Sequence, residues 1–167
     1  MNKLIKFSDD LSDMMVKVSA ILLGLMTILI LVEIFLWNTL EKTTLIADEY
    51  SAYGLAAIIF LGAGYCLKEK GHIRITLILG VLPETVSRII TFIATVITTS
   101  FMGYVLLYLF KMVQSTYRYD STSGTLTNTP IWIPQAIMLI GATCFFIQLI
   151  GTIFKTWQAI KTKEEVL

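Results

Sequence analysis

The stretch VSAILLGLMTILILVEIFLWNTL, residues 18–40, decides the fold class, because Glu33 is the only charged side chain in it. An α-helix needs roughly 20 mostly apolar residues to cross the hydrocarbon core of a bilayer. Residues 50–67, 89–110 and 131–154 form three further uncharged runs of about this length. Only 15% of the 167 residues are charged, against about 25% in a typical soluble domain. The sequence therefore predicts an all-α integral membrane protein in which four transmembrane helices form a single domain.

The placement of Lys and Arg predicts the orientation of these helices, since cytoplasmic flanks carry an excess of both. Ten cations fall on one side and three on the other, so both termini and the loop between the second and third helices are expected in the cytoplasm. The net charge of +1 gives no indication of nucleic-acid binding. The ten are Lys3, Lys6, Lys17, Lys68, Lys70, Arg74, Arg88, Lys155, Lys161 and Lys163, and the three are Lys42, Lys111 and Arg118.

Two shorter segments are predicted to lie at the membrane interface. Near the N-terminus, apolar side chains recur at helical spacing among charged ones, which is typical of a short amphipathic helix on the cytoplasmic surface. Residues 73–81 are apolar but too short to span the bilayer, and Pro83 follows them before the third helix opens. Aromatic anchors are expected at the helix ends. The N-terminal apolar residues are Leu4, Phe7, Leu11, Met14 and Val18, and the anchors are Trp37, Trp132 and Trp157.

The segment CLKEKGHIRITLI, residues 66–78, contains the only histidine of the chain. His72 has no second histidine for a haem and no Cys, His or Asp cluster at the spacing of a zinc site. We interpret it as a turn residue in a cytoplasmic elbow, where Gly71 permits the turn and basic side chains meet the lipid headgroups. The elbow residues are Lys68, Lys70, Gly71, His72 and Arg74.

Glu33 invites a functional interpretation, since an ionisable group within a membrane is costly. It could couple protons to substrate, as a carboxylate in the first helix does in small multidrug exporters. Only about seven residues, roughly 10 Å of helix, separate it from the following loop, so a structural or partner contact is the main expectation. A membrane redox protein is a third possibility, although the two cysteines form no CxxC pair and no ligand set is present.

The second helix suggests packing against other helices. Asp48 and Glu49 precede it and complement its dipole, and they could also meet a partner at the outer face. Small side chains along the helix allow close helix contacts in lipid. We therefore regard several positions as a candidate interface with a partner subunit: Glu33, Ala52, Ala56, Gly62 and Gly64. The candidate outer-face contacts are Lys42, Asp48, Glu49, Arg118 and Asp120.

Four stretches together resemble the small membrane subunit of the tripartite ATP-independent periplasmic (TRAP) transporters. They are IADEYSAY (46–53), FLGAGYCLKEKGHIRI (60–75), VLPE (81–84) and TPIWIPQAIMLIG (129–141). The resemblance extends over nearly the whole chain. Many members carry an Arg near the outer end of the first helix, whereas this chain has Trp37 and Asn38, with Lys42 the nearest cation.

The resemblance implies a non-enzymatic scaffold in a bacterial inner membrane. Its partners would be a large elevator-type membrane subunit, a periplasmic substrate-binding protein and lipids. The system would import a small organic acid, either a carboxylate or an acidic sugar, with Na⁺. The sodium ions would bind the large subunit, so no cofactor is expected on this chain.

Overall fold

The computed structural model describes residues 2–69 and 83–162, and four long helices account for most of them. They are α1 (Asn2–Leu40), α2 (Ala47–Lys68), α3 (Glu84–Arg118) and α4 (Trp132–Thr162). All four are long and apolar enough to cross a membrane, which confirms, for the described residues, the prediction of a helical chain with four long apolar helices. Residues 73–81, with Lys70, Gly71, His72 and Arg74, lie outside the described residues, so the predicted interfacial segment and most of the elbow stay predictions.

The first helix differs from the prediction. Residues 2–40 form one continuous helix of 39 residues, where the sequence indicated a short surface helix followed by a separate span. The reason is that polar side chains on one face of the N-terminal segment pack inside the bundle. Ser8 and Ser12 are among the most completely buried side chains, so this segment continues the bundle.

The fourth helix is the centre of the bundle. It packs against each of the other three, while α1 also packs against α2 and α3 has no other substantial helix contact among the described residues. Met102 of α3 and Ala142 and Leu149 of α4 form the apolar core. The third helix begins directly after Pro83, as predicted, because a proline lacks the N–H that a first helical turn leaves unused.

On both α1 and α3, the residues that face into the bundle are separated by alternating steps of four and three residues. That average of 3.5 residues is the spacing of helices that stay in contact along a left-handed crossing. The face of α1 packs on α2 and α4 and that of α3 packs on α4, so the side chains of α4 are mostly buried or half-buried. The inward positions of α1 are 8, 12, 15, 19, 22, 26, 29, 33 and 36, and those of α3 are 88, 92, 95, 99, 102, 106, 109, 113 and 116.

The bundle has two ends, which are named here by the segments they carry. The terminal end comprises the start of α1, the last turns of α2 and α4 and the start of α3. The loop end comprises residues 41–46, between α1 and α2, and residues 119–131, between α3 and α4.

Candidate interaction surfaces

The carboxylate of Glu33 holds the α1–α2 loop. It accepts hydrogen bonds from the hydroxyls of Thr43 and Thr44 and from the backbone N–H of Thr44, whose nitrogen lies 3.0 Å from one carboxylate oxygen. The same two threonine hydroxyls accept from the N–H groups of Leu45 and Ile46. Glu33 thus organises the turn that returns the chain into α2, and its side chain is only partly exposed.

The carboxylate of Glu49 plays the same part for the α3–α4 loop. Glu49 lies in the first turn of α2 and is only 9% exposed. It accepts hydrogen bonds from the hydroxyls of Thr125 and Thr127. The loop is closed by a β-bridge between Thr122 and Pro130, and repeated hydroxyl side chains turn inward to meet a single acid.

The other predicted outer-face residues lie around these two loops and are exposed. None of the four has its charged group in an ion pair among the described residues. Four large apolar side chains, Leu45, Ile46, Tyr119 and Leu126, are also exposed there. The loop end therefore presents a surface of mixed charge and exposed apolar side chains; its exposed charged residues are Glu41, Lys42, Asp48, Arg118 and Asp120.

At the terminal end, a polar cluster joins α1 to α4. The amine of Lys155 donates to both carboxylate oxygens of Asp9, at 2.7 and 2.9 Å. Gln148, fully buried, donates to Asp9 through Nε2 and accepts from the Ser12 hydroxyl, each at 3.0 Å. One turn from Asp9, Asp13 pairs with Lys68 at the end of α2. Three helices are thus held together by charged and polar groups.

Small residues bring the helices close at this end and at mid-bundle. A Cβ added to Gly141 of α4 would lie only 2.7 Å from the carbonyl carbon of Phe60 in α2, so the two backbones touch there. Gly151 faces Ser8 of α1, where an added Cβ would clash with the serine side chain. These contacts show why a glycine or serine stands at each crossing.

The candidate interface positions on α2 divide into two groups. Gly64 is buried against Ser12 of α1 and the backbone of Phe145, and Gly62 lies beside Ser19 of α1. Ala52 is exposed and Ala56 half-buried. Two of the small residues thus serve packing within the chain, which leaves the other two on the outer surface of α2.

In the half of the bundle near the loop end, an apolar groove of about 410 Å³ separates α1 from α2 and α4. Larger inward side chains of α1, such as Leu22, Met26 and Leu29, replace the serines found nearer the terminal end. Tyr50, Tyr53 and Thr129 supply the polar groups at its margin. The described residues contain no group of three or more His, Cys, Asp or Glu side chains placed to hold a metal ion.

Comparison with known protein families gives a match over most of the chain. The family model described as "Tripartite ATP-independent periplasmic transporters, DctQ component" matches residues 26–159, 134 of the 167 residues. This chain belongs to the DctQ family. No curated protein and no solved structure matches it. The resemblance stated from the sequence is confirmed: the chain is a multi-pass membrane component of a TRAP transporter, from a family that is not enzymatic.

Two of the three predicted aromatic anchors are packed on α3 in this DctQ family member. Trp132, the first residue of α4, stacks edge-to-face with Tyr117 at 5.6 Å, and Trp157 lies 5.6 Å from Phe92. Trp37 is 62% exposed near the end of α1. Their positions near helix ends fit interfacial anchoring, which stays a prediction.

Sequence reasoning missed the polar cluster at the terminal end. Asp9 and Asp13 are four residues apart, as are Ser8 and Ser12, so each pair recurs on nearly the same side of a helix. This spacing was the available signal, but the neighbouring apolar positions suggested a surface helix instead. The family match starts at residue 26, so the acidic residues of the cluster also lie outside the matched region.

Proposed function

We propose that this DctQ family member is a non-catalytic scaffold for the large membrane component of a Na⁺-coupled TRAP importer. The importer receives a small organic acid from a periplasmic binding protein, and both termini of the scaffold lie in the cytoplasm of a bacterial cell, with the loop end on the periplasmic side of the inner membrane. The ten-to-three distribution of cations supports this orientation.

One observation carries the scaffold role. Four acidic side chains of the bundle are bound within the chain: Glu33 and Glu49 to loop hydroxyls, and Asp9 and Asp13 to lysines. Between them the core cluster is apolar, and the groove is lined almost entirely by apolar surface. The buried hydroxyls of Ser19, Thr95 and Thr99 donate to backbone carbonyls. Transporters place polar groups along the substrate path, near the midplane, and the described residues form no such path.

The alternative of a proton-coupled exporter using Glu33 receives no support from the geometry. Its carboxylate accepts from two hydroxyls and a backbone N–H of residues 43–44. Family membership also assigns the chain to a multi-component system. We therefore interpret Glu33 as a residue that fixes the α1–α2 loop beside the partner.

The first test is whether the tagged chain retains the large membrane component during purification in detergent. Proteoliposomes would then be loaded with this chain alone, the large component alone, or both. A Na⁺ gradient, a binding protein and a panel of radiolabelled dicarboxylates and sugar acids complete the assay. We expect uptake only with both membrane components. Uptake by this chain alone, or full activity of the large component without it, would contradict the scaffold role.

A second test concerns the periplasmic partner. The exposed charged residues of the loop end are candidates for contact with the binding protein. Reversing the charge of Arg118 or Asp120 should weaken that contact and raise the binding-protein concentration needed for half-maximal uptake, without changing co-purification of the membrane components. Lys111→Glu, a charge reversal on α3 about two turns before Arg118, is the control.

A further inference from the structure

The N-terminal part of α1 has its polar and apolar sides in an unusual arrangement. Ser8 and Ser12 are buried, and the part-exposed Asp9 and Asp13 are paired with lysines of α4 and α2. Four apolar side chains of the same segment point outward: Leu4 is 59% exposed, Phe7 58%, Met14 53% and Val18 40%. This surface lies before residue 26, where the family match begins.

These residues begin a longer outward line, here called the α1 seam. Its positions are separated by alternating steps of three and four residues, and every one is apolar. A strict repeat of this kind is the pattern of a helix that packs along another helix. At about 100° per residue, the seam lies roughly a quarter turn from the inward face of α1, where a further helix has room. The seam comprises Leu4, Phe7, Leu11, Met14, Val18, Ile21, Leu25, Ile28, Val32 and Phe35.

Lipid alone does not explain the first half of the seam. The 39 residues of α1 correspond to about 58 Å of helix, whereas the hydrocarbon core of a bilayer is about 30 Å thick. A helix that lies flat on the membrane could bury such a face, but residues 2–17 belong to the same continuous helix as the span and are tied to α2 and α4 by ion pairs. Beyond the hydrocarbon core no acyl chains cover these apolar side chains, and a protein surface would bury them.

The charged side chains beside the α1 seam indicate which kind of protein surface would bind there. Beside the seam, on the side away from the bundle, stand Lys3, Asp10 and Lys17, with Lys6 next to them, and all four are exposed. A second copy of this chain would bring two net-positive flanks together, which disfavours pairing. A helix with an apolar face and an acidic flank complements the surface in both respects.

We propose that the N-terminal half of the α1 seam is the docking surface for an acidic-flanked helix of the large membrane component. This inference rests on the proposed function, because the scaffold role supplies the partner. The partner helix would extend past the bilayer beside α1 on the side of the terminal end. Contact there would add a recognition surface outside the lipid, where apolar burial again favours association.

Photo-crosslinking in cells tests the contact directly. A benzoylphenylalanine placed at Phe7 or Met14, both exposed, should crosslink to the large component. The same probe at Asp10, beside the seam, should do so less, and at Ile90, exposed at the terminal end of α3, not at all. A product containing two copies of this chain, or no protein product from positions 7 and 14, would overturn the proposal in favour of a homodimer or a lipid contact.

Association supplies the second readout. The variant Leu4→Ser/Phe7→Ser/Met14→Ser should lose most of the co-purified large component, and Lys3→Glu/Lys6→Glu/Lys17→Glu should lose part of it. Val86→Ser/Ile90→Ser, at exposed positions on α3, is the matched control and should retain it. If the wild-type chain and the seam variants retain equal amounts of the large component, this inference is wrong but the proposed function still stands. If the wild-type chain retains none, the proposed function itself fails.

Discussion

Acidic side chains make contacts at both the terminal end and the loop end of the bundle, but they bind different kinds of partner. At the terminal end, Asp9 and Asp13 join helices to one another through Lys155 and Lys68. At the loop end, Glu33 and Glu49 join each helix to a loop, and a groove separates α1 from its neighbours. Helix contacts are thus tight where the chain carries serine and glycine and looser where it carries leucine and methionine. The difference implies that the bundle is held together mainly from its terminal end and its middle.

The largest loss of stability is expected from a substitution where the backbones of α2 and α4 touch. Gly141→Ala adds a Cβ within 2.9 Å of three atoms of α2, two of them backbone, so the helices must separate. Overpacking of this kind costs typically 1–3 kcal/mol, and a backbone contact places this site at the upper end. Thermal denaturation of the purified chain in detergent should show a clear loss of stability.

Gly24→Ala is the control for that substitution, because no atom lies within 4 Å of its added Cβ. It should leave stability unchanged or raise it by up to about 1 kcal/mol through the better helix propensity of alanine. Equal behaviour of the two variants would show that α2 and α4 are not in backbone contact.

The next effect concerns the polar cluster of the terminal end. Asp9→Asn removes the ion pair with Lys155 and weakens the bond from Gln148. Hydrogen bonds to charged groups contribute about 1.5–3 kcal/mol when buried. Since Lys155 is 37% exposed, we expect about 1 kcal/mol of lost unfolding free energy after allowing for solvent screening.

Asp10→Asn changes the neighbouring, exposed acid and should have little effect on stability. A double-mutant cycle with Lys155→Met isolates the pair, because the coupling energy disappears if the two side chains do not interact. Equal stability losses for Asp9→Asn and Asp10→Asn would contradict the cluster.

At the loop end, Glu49→Gln should loosen the α3–α4 loop while leaving the bundle intact. The amide retains one acceptor oxygen but loses the charge that strengthens both threonine hydrogen bonds. In a background without Cys66, a cysteine at Leu126, which is 79% exposed, reports how readily a thiol-reactive label reaches the loop. Limited proteolysis reports how readily a protease cleaves it. We expect severalfold faster proteolysis within residues 119–131.

Asp48→Asn, in the same turn of α2 but exposed, is the control for this loop effect. Faster cleavage of both variants to the same degree would mean that helix-terminal charge in general, and not the bonds of Glu49, holds the loop.

The sequence predictions were accurate for the long apolar helices and less so for the polar contacts that hold the two ends of the bundle. Hydropathy located the four apolar helices because burial in lipid needs long uncharged runs. It placed the start of α1 at residue 18, although the helix begins at Asn2, since ion pairs and buried serines extend it and hydropathy does not register them. The small residues of α2 were identified as contacts, but whether Gly64 met α1 or a partner depended on the rotation of the helix. Glu49 appeared as a helix-terminal acid, and its threonine partners, 76 and 78 residues away, gave no local signal.

The smallest change in stability is expected for a substitution at the edge of the groove. Its size tests how loosely α1 and α2 pack near the loop end. Gly54→Ala places a Cβ 3.1 Å from the sulfur of Met26 and at least 3.6 Å from its other atoms. Methionine adapts readily because its side chain has several rotatable bonds, and the groove offers it space. The stability of this variant should therefore stay within about 0.5 kcal/mol of wild type, since the propensity gain of alanine offsets the rearrangement. A loss as large as that of Gly141→Ala, measured by the same thermal denaturation, would mean that α1 and α2 are packed as tightly at the loop end as at mid-bundle, and the contrast between the two ends would no longer hold.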